Sequence, residues 1–163
     1  MKSGDTKFGE MEFGTIEREI YVEASPEVVF EVVSSPDHLK QWWPDDARYQ
    51  PTPGSTGEIV FGDRDAGGAV VAFTVVEARP PQTFSFRWTH PPDEAAREGN
   101  SLFVTFDLTP SRGGTLLRMT ETGFREMGWE TAVLEQQYGE HTTGWDFYLP
   151  RLERYVATLE TRP

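Results

Sequence analysis

The chain contains no cysteine, and that absence alone removes disulfides, thiolate nucleophiles and every cysteine-based metal centre. A thiol-free chain fits a reducing compartment, so a cytoplasmic location is expected. Basic residues are scarce: 15 Lys and Arg stand against 27 Asp and Glu, for a net charge of −12. No basic stripe interrupts this acidic balance. Phosphate backbones and anionic membrane surfaces would be repelled, and neither nucleic acid nor membrane is an expected partner. Long apolar runs are also missing. No stretch approaches the ~18 consecutive apolar residues of a membrane span, and the polar residues 1–15 hold no run resembling a signal peptide. Histidine is limited to His38, His90 and His141, with no metal-ligand spacing among them. There is no HExxH pattern, no GxSxG elbow, no phosphate-cradling glycine loop and no dinucleotide fingerprint. No metal and no cofactor is expected.

What the chain does have is aromatic side chains. Its 163 residues include 11 Phe, 5 Trp and 5 Tyr. Each buried ring removes on the order of 150–250 Å² from water, so a substantial core is available to a chain about the size of one domain. Residues 1–15 are read as a flexible N-terminal arm and residues 16–163 as a single domain.

Along that domain Ile16, Arg18, Ile20, Val22 and Ala24 alternate with Glu17, Glu19, Tyr21 and Glu23, the period-two pattern of a half-buried strand. Ser25-Pro26-Glu27 and Ser35-Pro36-Asp37 are two helix starts in succession, each with a serine cap, a proline at the first helical position and an acid in the first turn. The second short helix carries Leu39, Trp42 and Trp43 and is stopped by Pro44. Strand patterns follow near 58–62, 69–78, 83–90, 101–109 and 115–122. The punctuation at Gly67-Gly68, Pro80-Pro81 and Arg112-Gly113-Gly114 is that of consecutive hairpins, which implies an antiparallel meander. After Gly128 the period becomes helical. Leu134, Tyr138, His141, Trp145, Tyr148, Leu149, Leu152, Tyr155, Val156 and Leu159 form a long stripe, with Gly144 weakening it and Pro150 expected to kink it. The fold class is therefore α+β: an antiparallel sheet of about six strands around a long C-terminal helix, with two short helices after the first strand.

Several phrases, in order, carry a family resemblance: Ala24-Ser25-Pro26-Glu27-Val28-Val29-Phe30, Leu39-Lys40-Gln41-Trp42-Trp43-Pro44, Val76-Glu77-Ala78-Arg79-Pro80-Pro81, Phe84-Ser85-Phe86-Arg87-Trp88, Thr120-Glu121-Thr122-Gly123-Phe124, and Gly144-Trp145 followed by Leu149, Leu152 and Tyr155. Over residues 16–159 the chain resembles the helix-grip superfamily of START-like and birch-pollen-allergen-like proteins (SRPBCC). The nearer likeness is to the branch related to the C-terminal domain of activators of the heat-shock-protein-90 ATPase. The resemblance implies a helix-grip fold with a cavity between sheet and helix, in a superfamily that includes ligand carriers, polyketide cyclases and chaperone activators. Activators of that chaperone carry a separate N-terminal domain, for which the residues before Thr15 are too few, so a chaperone partner is not expected.

On this reading the candidate ligand-binding residues are Trp42, Trp43, Phe61, Phe73, Phe84, Phe86, Trp88, Phe106, His141, Trp145 and Tyr148. Aromatic strands also fill cores, so each ring has an ordinary packing role to set beside the ligand. The candidates for proton transfer are His90, His141 and Tyr148, with the two histidines approaching each other if the last helix crosses the sheet diagonally. Arg87, Arg118 and Glu121 are strand residues whose facing the pattern leaves open. Cross-strand pairing on the solvated face is the ordinary role, and anchoring a ligand inside the cavity the alternative. The leading expectation is binding of a small apolar or aromatic molecule. The alternatives are a cofactor-independent cyclase or dehydratase type of enzyme, and an interaction module acting through the sheet edge or the Pro91–Gly99 loop. A homodimer is left open.

Overall fold

A computed structural model describes residues 13–160. Strand β1 (Thr15–Val22) is followed by helices α1 (Pro26–Ser34) and α2 (Pro36–Leu39). Six strands come next: β2 (Asp46–Arg48), β3 (Thr56–Phe61), β4 (Ala69–Arg79), β5 (Thr83–Trp88), β6 (Leu102–Ser111) and β7 (Gly114–Thr122). Helix α3 (Thr131–Glu160) closes the chain. The strands form one sheet in the order β1-β7-β6-β5-β4-β3-β2, antiparallel throughout. The expected meander thus runs from β2 to β7, and β1 returns to pair with β7.

Seven strands are present where about six were expected. The additional one, β2, is the three-residue Asp46–Arg48 pairing with Val60, Ile59 and Glu58 of β3. Three residues are too few to display a period of two, so the pairing leaves no trace in the hydropathy pattern. The arm expected over residues 1–15 falls almost entirely outside the described residues. Where the description begins, the Phe13 ring meets Tyr138 edge-on at 5.4 Å, the Tyr138 hydroxyl donates to the Thr15 carbonyl at 2.7 Å, and Thr15 already belongs to β1.

Local chemistry accounts for the entry into the helices. Ser25 caps α1, its Oγ accepting from the Val28 amide at 3.2 Å, and Pro26 fills the first position, where no donor is needed. Beyond α2 the chain turns so that the Trp42 indole donates to the Val32 carbonyl of α1 at 3.1 Å. On β3's flank the Tyr49 hydroxyl donates to the Ser34 carbonyl at 2.7 Å. Burial pushes the Tyr49 phenol well above the ordinary tyrosine range. These two bonds fasten the helical opening to the sheet.

Helix α3 is continuous through Gly144 and Pro150. Its 30 residues reach about 45 Å, long enough to cross the sheet. Leu134, Trp145, Leu149, Leu152 and Val156 are its buried stripe, at the helical spacing the sequence displays. Pro150 has no amide to offer the Asp146 carbonyl. The Asp146 side chain is instead tied to β1, accepting from Arg18 Nε at 2.7 Å, and the Arg18 guanidinium is held above its ordinary range by that bond. Among the described residues no helix is long and apolar enough to cross a membrane.

The space between sheet and helices is largely filled. Phe73, Phe84, Phe86 and Phe106 are fully buried on the inner face, together with Val75, Val104, Leu117 and Met119. Phe73 and Phe86 stack at 4.3 Å, and Phe106 stands edge-on to Trp42 at 6.2 Å.

Candidate functional site

The site begins with a charge in an apolar place. Along β7 the residues Leu117, Met119 and Glu121 point to one face, and Glu121 lies opposite Ile16 of β1 and Val104 of β6. That is the inner face, and Glu121 is completely buried. A buried carboxylate is expensive unless every lone pair has a partner. Here three nitrogens supply them. The Trp88 indole from β5 donates to Oε2 at 2.8 Å and the Trp145 indole from α3 donates to Oε1 at 2.8 Å. His141 Nδ1 lies 3.0 and 3.1 Å from the two oxygens. His141 and Trp145 are four residues apart and so occupy one helix face, which lets both reach the same carboxylate. The cluster fixes how α3 lies over β5 and β7.

The hydrogen bonds also fix the histidine. Against a carboxylate, Nδ1 must carry the hydrogen, so in the neutral ring Nε2 is the acceptor. The His141 side chain is 14% exposed, and it faces a cleft.

That cleft, of about 300 Å³, is lined by Trp43, Phe61, Trp88, Glu140, His141, Gly144, Trp145 and Tyr148. Its walls are aromatic. Trp43 is 5.0 Å from Trp88 and 5.1 Å from Trp145, centroid to centroid, and Phe61 lies 5.9 Å from Trp43 and 6.4 Å from Tyr148. Gly144 adds no side chain to the wall; a Cβ there would touch only the Tyr148 ring, at 4.0 Å. The volume lies at the lower end of small-molecule pockets, which run roughly 300–1,000 Å³. An apolar wall with a few convergent polar groups is the usual composition of such a site.

Of the residues singled out in the sequence, Trp43, Phe61, Trp88, His141, Trp145 and Tyr148 come together around this cleft. Trp42, Phe73, Phe84, Phe86 and Phe106 do not border it. They lie behind it with no exposed surface, packed ring on ring, and read as core rather than lining. His90 requires a correction as well. It does not approach His141, because Thr89 adopts a positive φ of 69° just after β5 and breaks the strand's alternation. His90 turns to the outer face, where Nε2 meets Thr74 Oγ1 at 3.0 Å and Nδ1 lies 3.1 Å from the Pro91 carbonyl. It borders a different groove, with Thr56, Gly57 and Val71. His38 pairs with the Tyr155 hydroxyl at 2.6 Å.

The three charged strand residues divide. Arg118 donates across strands to Glu17 at 2.9 Å, and Arg87 lies over the Phe103 ring at 4.9 Å, both on the outer face. Only Glu121 turns inward, and it holds two of the cleft's tryptophans and its histidine in place. Among the described residues no group of three or more His, Asp or Glu is arranged to hold a metal ion.

A family model described as Activator of Hsp90 ATPase homolog 1-like protein matches residues 23–157. The solved structure of protein MLL2253 from Mesorhizobium loti is similar with a TM-score of 0.69 at 23% identity, covering 91% of this chain and 99% of that one. The Aha1 dimer from Colwellia psychrerythraea is similar with a TM-score of 0.64 at 25% identity, over 85% of this chain and 92% of that one. DynU16, from the dynemicin biosynthetic locus, has a TM-score of 0.67 at 23% identity, covering 89% of this chain and 48% of that one. No curated protein matches the chain.

Proposed function

The chain belongs to the Activator of Hsp90 ATPase homolog 1-like family, and on that premise we propose that it binds a small apolar or aromatic molecule in the cleft between the sheet and α3. The observation that carries this reading is the cleft itself. Trp43, Phe61, Trp88, Trp145 and Tyr148 surround about 300 Å³ of space, while the remaining inner-face rings are packed against one another without exposed surface. A core that fills itself elsewhere and leaves a ring-lined opening at one place is consistent with an opening that is used.

Calorimetric titration with 1-methoxynaphthalene tests the reading. Binding is expected, and Phe61→Ala and Tyr148→Ala should each weaken it roughly tenfold, since each removes apolar contact worth about 1–2 kcal/mol. Both rings are only partly buried, so both variants should remain folded. No heat of binding, or unchanged affinity in two folded variants, would sink the proposal. Native mass spectrometry of the purified protein, set against its denatured mass, would reveal any ligand carried from the cell.

A second reading is favoured by one specific feature, the histidine held by a buried carboxylate. In a cofactor-independent cyclase or dehydratase, His141 and Tyr148 would move protons within the cleft. That reading expects His141→Ala to abolish turnover and leave the fold intact. Self-association is a separate proposal, motivated by the Colwellia protein described as a dimer. Light scattering on a sizing column would decide it.

A further inference from the structure

We propose that Glu121 and His141 form a carboxylate–imidazole pair whose outward nitrogen, Nε2, recognises the weakly acidic O–H of a planar ligand, a phenol or an enol. This deepens the binding reading above and rests on it. Three features of the cleft point to that ligand class. The first is the fixed histidine. Glu121 holds Nδ1 at 3.0 Å, so the neutral ring presents an acceptor to the cleft and not a donor. The second is that the Trp88 and Trp145 indoles both donate to Glu121, so neither competes for Nε2, which is left as an acceptor beside their aromatic walls. The third is charge. Glu140 stands on the rim, Glu121 lies beneath, and the chain carries −12 overall. Ligands that arrive as full anions are repelled, whereas a neutral hydroxyl is not.

A proton shared along O–H···Nε2 has somewhere to go. The ligand O–H bond breaks, an N–H bond forms at Nε2, and the imidazolium so formed lies directly against the Glu121 carboxylate, whose negative charge offsets it. The oxyanion stays hydrogen-bonded to the new N–H. Glu121 touches no ligand in this scheme and acts as a positioning residue; His141 is the contact.

The test uses 4-nitrophenol, whose ionised form is coloured, beside its methyl ether 4-nitroanisole, which has the same ring and no O–H. Calorimetry on the wild-type protein should give affinity for the phenol about tenfold above that for the ether, the increment of one hydrogen bond to an ionisable partner. At about pH 6, where free 4-nitrophenol is mostly un-ionised, the bound phenol should show the phenolate band more strongly than the free phenol. His141→Gln should erase both the preference and the band, so that within this variant the phenol binds no more tightly than 4-nitroanisole. In folded Glu121→Gln the band should fall. If Glu121→Gln does not fold, the methyl ether comparison and His141→Gln decide the matter alone. Equal affinity for the two ligands, or a preference that survives His141→Gln, overturns the role of His141 and leaves the cleft as a binding site. A phenolate band unchanged in folded Glu121→Gln overturns the positioning role of Glu121. Failure of both ligands to bind overturns the binding reading and this inference together.

Discussion

Replacing Glu121 with leucine is expected to lower the free energy of unfolding by about 3 kcal/mol, the sum of several buried donors left without acceptors at ~1–3 kcal/mol each. The residue is completely enclosed, and two indoles and one imidazole nitrogen converge on it. Leucine fills the same space and removes a buried charge, which by itself would favour folding. The loss of three hydrogen-bonding partners, two of them on α3 and one on β5, outweighs that gain. Neither indole can turn to water, because Trp88 and Trp145 are themselves buried. Urea unfolding measures the change. A double-mutant cycle with Trp145→Phe should show coupling, since removing the indole donor makes the lost acceptor less costly. A change below about 0.5 kcal/mol, within the range of ordinary surface substitutions, would mean that Glu121 is not what holds α3 to β7.

Phe86→Ala is expected to cost about 3–5 kcal/mol, the range for emptying a buried aromatic site. Phe86 lies at the middle of the ring cluster. It stacks on Phe73 at 4.3 Å and lies within 5.7 to 6.4 Å of Trp43, Phe84, Phe106 and Trp88. None of these neighbours can collapse into the vacancy without leaving its own packing, so most of the cavity would persist. Phe61→Ala is the informative contrast. Phe61 is aromatic and on the inner side too, but it borders the cleft, and its loss should cost stability far less than binding. If Phe86→Ala were as mild as Phe61→Ala, the interior would be an open cavity and not a filled core.

How far the sequence reaches can be followed residue by residue. Period-two alternation placed β1 and the strands from β3 to β7, because half-buried strands must alternate. The Ser-Pro-acid starts placed α1 and α2, since caps are local chemistry. The α3 stripe survived Gly144 and Pro150 because its buried residues, Leu134 through Val156, are fixed by packing against the sheet and not by helix propensity. Strand β2 was illegible: three residues, Asp-Ala-Arg, gain strand form only by lying beside β3. The site was half legible. Rings could be assigned to the inner face, but which of them border open space depends on where Trp43 and α3 come to rest, and no local pattern encodes that. His90 was misplaced for a sharper reason. Alternation from Trp88 carries it inward, and one backbone angle at Thr89 reverses it. Glu121 carries its signal in its parity. It shares parity with Leu117 and Met119 on β7, while Arg118 shares the parity of exposed residues. A charge on the apolar parity of a central strand demands partners, and here those partners are the site.

The most direct test of the central claim uses the indole N–H signals in a ¹H–¹⁵N NMR titration with 1-methoxynaphthalene. Trp43, Trp88 and Trp145 line the cleft, whereas Trp42 is fully buried with its indole bonded to Val32. Ligand in the cleft should shift the signals of Trp43, Trp88 and Trp145 together and saturably, and leave Trp42 nearly unmoved. Shifts at none of the three, or a response confined to Trp42, would contradict binding in the cleft.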